Sequence, residues 1–282
     1  MSRIAIATCR GVDVDPDSPF LLDALNDAGV KAELAVWDDP SVDWASYDLV
    51  VIRSTWDYWS RRSEFLSWAK SIKHLFNPYP VIEYSTDKHY LADLEKHGLK
   101  IIPSHFCDVG KKPRFFDHDF VVKPCVAAGS RDAERYRADQ HDEARHHVDV
   151  LHAKGLDVVL QPYIDSVDTE GERAIIFIDG KFSHAMRKGA MLNVKALDRN
   201  NLYREEQIRL GETELDAVAF AEHVLEVKSY SHLLYARVDL VRLANEWAIM
   251  ELELVEPSLY LIYDEDAASK LATAIAKRLH PH

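Results

Sequence analysis

The sequence is short of glycine, with 10 in 282 residues. That count weakens any fold built on several glycine-rich turns. Neither G-x-G-x-x-G nor G-x-x-x-x-G-K-[ST] occurs, which sets aside dinucleotide-fingerprint and phosphate-loop proteins. Cysteine is equally sparse: Cys9, Cys107 and Cys125 are an odd number without paired spacing. A disulfide framework and a cysteine-based zinc site are therefore not expected. Long apolar runs are missing, since stretches such as Asp48-Leu-Val-Val-Ile52 are strand-sized, far below the roughly 20 residues of a membrane helix. Basic charge is in the minority, with 34 Lys and Arg against 47 Asp and Glu. The resulting net charge of −13 gives no broad footprint for nucleic acid. H-E-x-x-H and G-x-S-x-G are also absent. The 14 histidines show no metal spacing, and His141, His146, His147 and His152 read as solvated surface. The start, Arg3-Ile-Ala-Ile-Ala-Thr8, reads as a strand and lacks the profile of a signal peptide. A reduced, cytoplasmic protein is expected, with no membrane and no nucleic-acid partner.

What is present is globular: 47% hydrophobic, 10% aromatic and 29% charged residues. Residues 1–85 alternate strand and helix patterns. Strands are predicted at Arg3–Thr8, Lys31–Val36 and Leu49–Arg53, and helices at Ser18–Ala28 and Ser63–Phe76. Single helices between strands imply a parallel sheet with crossovers. Phe20, Leu21, Leu25, Trp37 and Trp44 read as core. Residues 86–164 have a different grain. A helix is predicted at Asp87–His97, strands at Lys100–Pro103 and Phe120–Lys123, a mobile loop at Ala127–Ser130, a helix at Asp139–Ala153 and a strand at Val158–Gln161. Residues 165–282 are rich in strands, at Ala174–Asp179, Phe182–Arg187, Leu233–Val241 and Trp247–Leu254, closed by helices at Thr213–Val227 and Asp266–Leu279. Asp179-Gly180 between two of these strands is a strong hairpin signal. The expected class is α/β, with α+β character in the C-terminal part.

The sharpest anomaly is Ile249-Met-Glu-Leu-Glu-Leu-Val-Glu-Pro257. Side chains alternate along a strand, so Glu251 and Glu253 share one face while Leu252 and Leu254 share the other. Two carboxylates on a partly buried strand repel unless a cation compensates them. A wet edge strand is the plain alternative. The preceding strand also carries an acid, Asp239, and a short connection pairs the two strands. Asp239, Glu251 and Glu253 on one sheet surface suit hard, oxygen-loving Mg2+. Lys123 ends an apolar strand before a flexible segment, where it suits a phosphate contact or a snorkelling surface role. Arg173, Arg187 and Lys188 lie on the strands of one hairpin. Arg173 and Arg187 are placed to face one anion or to pair with carboxylates.

In order and spacing these pieces resemble the ATP-grasp superfamily, in the branch of glutathione synthetase and RimK-like ligases. The resemblance runs from Asp87-Lys88 through Val122-Lys123-Pro124, Gly129-Ser130, Gln161-Pro-Tyr-Ile164, Gly171-Glu-Arg173 and Met186-Arg187 to Asp239 and Glu251-x-Glu253. It implies a Rossmann-like N-terminal domain (1–85) and two α+β subdomains (86–164 and 165–282) that clamp ATP. Lys88 and Lys123 would contact phosphates, with Ser130 in the mobile loop. Backbone groups of Gln161, Tyr163 and Ile164 would hold adenine, and Glu172 or Asp168 the ribose. Asp239, Glu251 and Glu253 would hold two Mg2+ ions, with Mn2+ as substitute and Glu251 bridging. Arg187, with Lys123 and Arg173, would stabilise the transferring phosphoryl group. Many relatives carry Asn where this chain has Glu253, so its second metal position gains one negative charge.

Arg53-Ser-Thr-Trp-Asp-Tyr58 and Glu256-Pro-Ser-Leu259 look like the O-ureido-D-serine cyclo-ligases of cycloserine biosynthesis. The implied activity is ATP-dependent ligation. A carboxylate or ureido carbonyl of a small amino-acid-like substrate is phosphorylated, and a C–N bond forms with release of ADP and phosphate. An intermolecular amino-acid ligase, a non-catalytic nucleotide-binding module and a Mg2+-dependent phosphatase stand as alternatives. The expected substrate pocket uses Arg53, Ser54, Thr55, Trp56, Asp57, Tyr58 and Ser258; the rival reading makes Trp56, Tyr58 and Trp59 an interface plug. A homodimer remains open beside a monomer.

Overall fold

The computed structural model describes residues 2–11, 15–189, 208–211 and 213–279. The first sheet is parallel, in the order β2-β1-β3-β4. It comprises β1 (Arg3–Thr8), β2 (Lys31–Val36), β3 (Leu49–Ser54) and β4 (Leu75–Phe76). Helices α1 (Asp17–Asp27) and α2 (Arg62–Ser71) cross over it. Leu21 and Leu25, four residues apart on α1, are fully buried beside Ile4 and Ile6. Phe20 faces away and is 50% exposed, so the expectation that it is core fails on helix phase. On the opposite sheet face, Phe65 packs with Trp37, Val50 and Ile52. The helix expected to run to Phe76 stops at Ser71, because Leu75–Phe76 pairs in parallel with Val50–Val51.

Helices α3 (Tyr79–Ser85) and α4 (Tyr90–Lys96) lead to a second, antiparallel sheet. It contains β5 (His105–Cys107), β6 (Phe120–Pro124), β7 (Glu134–Tyr136) and β8 (Val158–Pro162), in the order β5-β8-β6-β7. The expected strand at Lys100–Pro103 is a single bridge, Ile101 to Ile249. Helix α5 (His141–Ala153) covers this sheet through Ala144, Val148 and Leu151. Its histidines are not all solvated: the Nε2 atoms of His141 and His152 bond the carbonyls of Phe116 and Cys107, and burial lowers the pKa of His147.

After the short helix α6 (Ser166–Thr169), the third sheet is antiparallel. Its strands are β9 (Glu172–Ile178), β10 (Lys181–Lys188), β11 (Ile208–Leu210), β12 (Tyr235–Leu243) and β13 (Glu246–Glu253). Their order is β11-β10-β9-β12-β13. Asp179 and Gly180 both take positive φ (52° and 71°) and close the β9–β10 hairpin. A Cβ at Gly180 would collide with the Ser231 carbonyl. One face of this sheet, through Ile175, Phe177, Val238 and Leu240, packs on α7 (Leu215–Val227). The other, through Ala174, Ile176 and Tyr235, meets the first sheet and α8 (Ala267–Leu279). No described helix is long and apolar enough to cross a membrane.

Candidate active site

A cavity of about 490 Å³ opens where the three sheets meet. Its floor is the third sheet. The register pairs Asp239 with Glu251, Arg237 with Glu253, and Glu172 with Lys188. These six polar side chains therefore share one face, as period-two alternation requires. A bulge shifts the β12–β13 register just past Asp239, so Leu240 opposes Ile249 and Met250 is the extra residue. Single carboxylate oxygens of Asp239, Glu251 and Glu253 lie within 4.8 Å of one another. An all-oxygen, all-anionic donor set of this spacing fits Mg2+ or Mn2+.

Cations hold these carboxylates apart. Lys188 Nζ lies 2.6 Å from Asp239 and 2.9 Å from Glu172. Arg237 donates through Nε and Nη2 to Asp239, at 2.9 and 3.0 Å, and through Nη2 to Glu253 at 2.6 Å. Lys123 and Lys88 converge on Glu251 at 3.1 and 3.7 Å. Burial pushes the Glu251 carboxyl up, but Lys88, Lys123 and Lys188 outweigh it and hold it well below the usual carboxylate range. The same contest leaves Asp239 lowered by Arg237 and Lys188. Burial wins at Glu253, with the charges of Asp239 and Glu251 adding to it, and its carboxyl rises to about 7. A cationic metal would reverse that shift.

The expected nucleotide residues Lys88, Lys123, Ser130, Gln161, Tyr163, Ile164 and Glu172 all line the cavity. Gln161 donates to Ser104 Oγ at 2.9 Å, and the Tyr163 amide donates to the Asp119 carbonyl at 2.8 Å, so that amide is not free for a ligand. Asp168 stands outside the wall, where it accepts the Tyr163 hydroxyl at 2.6 Å and pairs with Arg135 at 3.5 Å. Of the two acids offered for the ribose, only Glu172 is in reach of the cavity. The loop at 127–131 forms one wall, with Arg131 over the Trp59 ring at 4.5 Å.

Two groups of expected site residues are placed elsewhere. Arg173 and Arg187 point to the opposite face of the sheet, because each sits one residue out of phase with Glu172 and Lys188. Arg173 forms a two-pronged pair with Glu214, at 2.9 and 3.0 Å, and Arg187 donates to the Thr169 carbonyl. With Arg209 they line a separate small depression. Arginines at these positions do not reach the carboxylates; Lys188 and Arg237 do. Arg237 was legible as Asp239's neighbour two positions back on the same strand face.

In the substrate segment, Trp56, Tyr58 and Ser258 line the cavity, whereas Arg53, Ser54, Thr55 and Asp57 do not. Arg53 is 2% exposed, donates to the Pro257 carbonyl at 2.8 Å and lies 3.6 Å from Asp17. Asp17 in turn accepts the amides of Leu259, Tyr260 and Leu261. This pair pins the chain after β13 to the first sheet. Ser54 Oγ shares a hydrogen bond with Thr8 Oγ1 at 2.9 Å. The Asp57 carboxylate accepts from Trp37 Nε1 at 2.8 Å and from Arg61 at 3.2 Å, so it braces the first sheet.

A family model described as the N-terminal domain of D-cycloserine synthetase DcsG matches residues 4–77. The chain is 38% identical to cycloserine biosynthesis protein DcsG of Streptomyces lavendulae over 302 aligned positions, covering 100% of both. The crystal structure of D-cycloserine synthetase DcsG matches with a TM-score of 0.87 and 35% identity, over 99% of this chain and 100% of that one. D-alanine–D-alanine ligase from Bacillus anthracis, complexed with ATP, matches at 0.70 and 15% identity, over 99% and 97%. The ATP-grasp ligase PsnB matches at 0.63 and 15%, over 99% of each chain. The last two speak for the fold alone. The full-length likeness to DcsG defines the class: this chain is an ATP-grasp enzyme, an ATP-dependent ligase that forms a carbon–nitrogen bond. Within that class it belongs to the family of DcsG, as the resemblance in the sequence implied.

Proposed function

We propose that this ligase closes a ring within one small amino-acid derivative of the O-ureido-serine type. The substrate carboxylate accepts the γ-phosphoryl group of ATP, a nitrogen of the same molecule attacks the activated carbonyl carbon, and phosphate leaves. The observation that carries this reading is the convergence of Asp239, Glu251 and Glu253 within 4.8 Å, ringed by lysines and Arg237. Phosphoryl transfer asks for positioning and charge neutralisation more than for a nucleophilic side chain, and this wall offers those. Asp239, Glu251 and Glu253 would hold Mg2+. When bound, the metal ions screen the charge of the transferring group and orient its oxygens. Lys88, Lys123 and Lys188 would take the phosphates, Arg237 the group in transfer, Glu172 the ribose, and Gln161–Ile164 the adenine. The division into 1–85, 86–164 and 165–282 follows the three sheets and gives the nucleotide a cleft between the last two.

The similarity to a cycloserine synthetase over the full length supports the choice of substrate. The test measures ADP release and product mass with ATP, Mg2+ and O-ureido-D-serine, beside pairs of free amino acids. A cyclised product without any second amino acid is expected. ADP release only with two amino acids would replace this reading with intermolecular ligation, and no ADP release under any condition would leave a nucleotide-binding module.

A further inference from the structure

Glu256 is an acid of the cavity wall that neither the metal site nor the phosphate site uses. It lines the cavity with Trp56, Tyr58 and Ser258, and its carbonyl accepts from Trp56 Nε1 at 3.1 Å. Glu172, Asp239, Glu251 and Glu253 each have a cationic side chain within 3.1 Å. Glu256 differs: among the described residues its carboxylate has no ion pair, and it bonds with its own backbone amide. It also stands outside the group of carboxylates spaced to share a metal. The neighbouring acid, Asp17, is already engaged by three backbone amides. The wall therefore holds one uncommitted carboxyl group beside two aromatic rings, an environment that attracts an organic cation.

We propose that Glu256 binds the α-ammonium group of the substrate and makes the enzyme selective for amino acids over their des-amino counterparts. This rests on the ligase reading above. Only one carbon separates the ammonium of an α-amino acid from its carboxyl carbon, so the ammonium site must lie close to the phosphoryl site. Three residues of chain from Glu253 to Glu256 span at most about 10 Å, which meets that requirement. Burial, reinforced by the charge of Glu253, pushes the Glu256 carboxyl up to about 8. A bound ammonium would lower it again.

The experiment compares kcat/KM for O-ureido-D-serine and for 3-(ureidooxy)propanoate, which lacks the amine, in the wild-type enzyme, Glu256→Gln and Glu256→Asp. The wild type should prefer the amine-bearing compound by about 10- to 100-fold, the worth of a charge-assisted contact. Glu256→Gln should lose most of that preference with the KM for ATP nearly unchanged, and Glu256→Asp, which keeps the charge, should retain it. A Glu256→Gln enzyme with the wild-type preference, or with equal losses on both compounds, overturns the inference alone. ADP release from neither compound by the wild type overturns the ligase reading and this inference with it.

Discussion

On the cavity side of the β9–β10 hairpin, Lys188 is almost wholly buried and sits between Asp239 and Glu172. On the far side, Arg187 crosses from Arg173 on one neighbouring strand to Arg209 on the other. Burial lowers the Arg187 pKa first, and those two arginines lower it further. One face matches four cations to carboxylates; the other sets three arginines against Glu214 as the acid that lines the same depression. Both faces carry basic and acidic side chains. What separates them is strand phase, since a shift of one residue carries a side chain to the other surface. Charge on the cavity face is paired one to one, so under the proposed function an incoming phosphate or metal ion would exchange for an existing partner. Charge on the far face has no part in that exchange.

The largest effect should come from Glu251→Gln, which keeps the shape of the side chain and removes the charge shared by Lys88 and Lys123. Turnover should fall by more than about 100-fold, well beyond what a supporting residue of a metal site contributes. Activity should also vanish in excess chelator and return with Mg2+ or Mn2+. Full ADP release in chelator would break the metal reading of the cavity face.

Next come paired substitutions that set one face against the other. Lys123→Ala and Lys188→Met should each reduce ATP turnover by at least about 10-fold, because a charge in a water-poor site acts with little screening. Arg187→Ala should stay within about 3-fold of wild type. Lys188→Met carries a second cost, for Asp239 keeps only Arg237; removing one partner of a buried pair destabilises by about 3–5 kcal/mol. Urea unfolding beside the kinetics separates the two effects. Equal losses in Arg187→Ala and Lys123→Ala would erase the contrast between the faces.

The same phase argument explains which features were legible in the sequence. Glu251, Glu253 and Asp239 stood out because acids contradict the apolar strands that carry them, and the structure brings their oxygens together. Asp179-Gly180 announced its hairpin because its turn needs positive φ. Arg187 was favoured over Lys188, and an unbroken count across the Asp179-Gly180 turn would indeed set Arg187 opposite Glu172; the extra residue, Ser183, shifts the register and puts Lys188 there instead. The strands at His105–Cys107 and Glu134–Tyr136 are too short to show a period, and their partners, not their composition, make them strands. Asp57 reads as a wall acid from its neighbours Trp56 and Tyr58. Its hydrogen bond to Trp37, 20 residues away, is a tertiary fact that local pattern does not carry.

Asp57→Asn sharpens that last point with a smaller effect. The amide oxygen can still accept from Trp37, while the ion pair with partly exposed Arg61 is lost. Stability should drop by about 0.5–1 kcal/mol, with substrate and ATP affinities unchanged. Weakened substrate affinity at normal stability would return Asp57 to the pocket.

The smallest effect compares two positions on the cavity face of β10 itself. Lys188 is charged beside two carboxylates, whereas His184, four residues earlier, is buried with Nε2 2.9 Å from the Leu259 carbonyl. A nitrogen facing a carbonyl carries the proton, so the ring is satisfied as the neutral tautomer. Burial lowers its pKa below the ordinary 6.5. The sign follows from proton uptake: as pH falls through about 6.5, the unfolded chain binds a proton that the folded chain refuses, so stability is lost on the acid side. Above that pH the group contributes no slope. Burial lowers His147 in the same way, so His184 accounts for only part of the acid sensitivity. His184→Gln should therefore shrink the drop in Tm between pH 7.5 and 5.5 by about 1–3 °C, the scale expected of under 1 kcal/mol in a chain this size. Thermal unfolding across that range measures it. An unchanged acid slope in the variant would mean that His184 titrates alike in both states, and that burial on this face constrains only groups paired with charge.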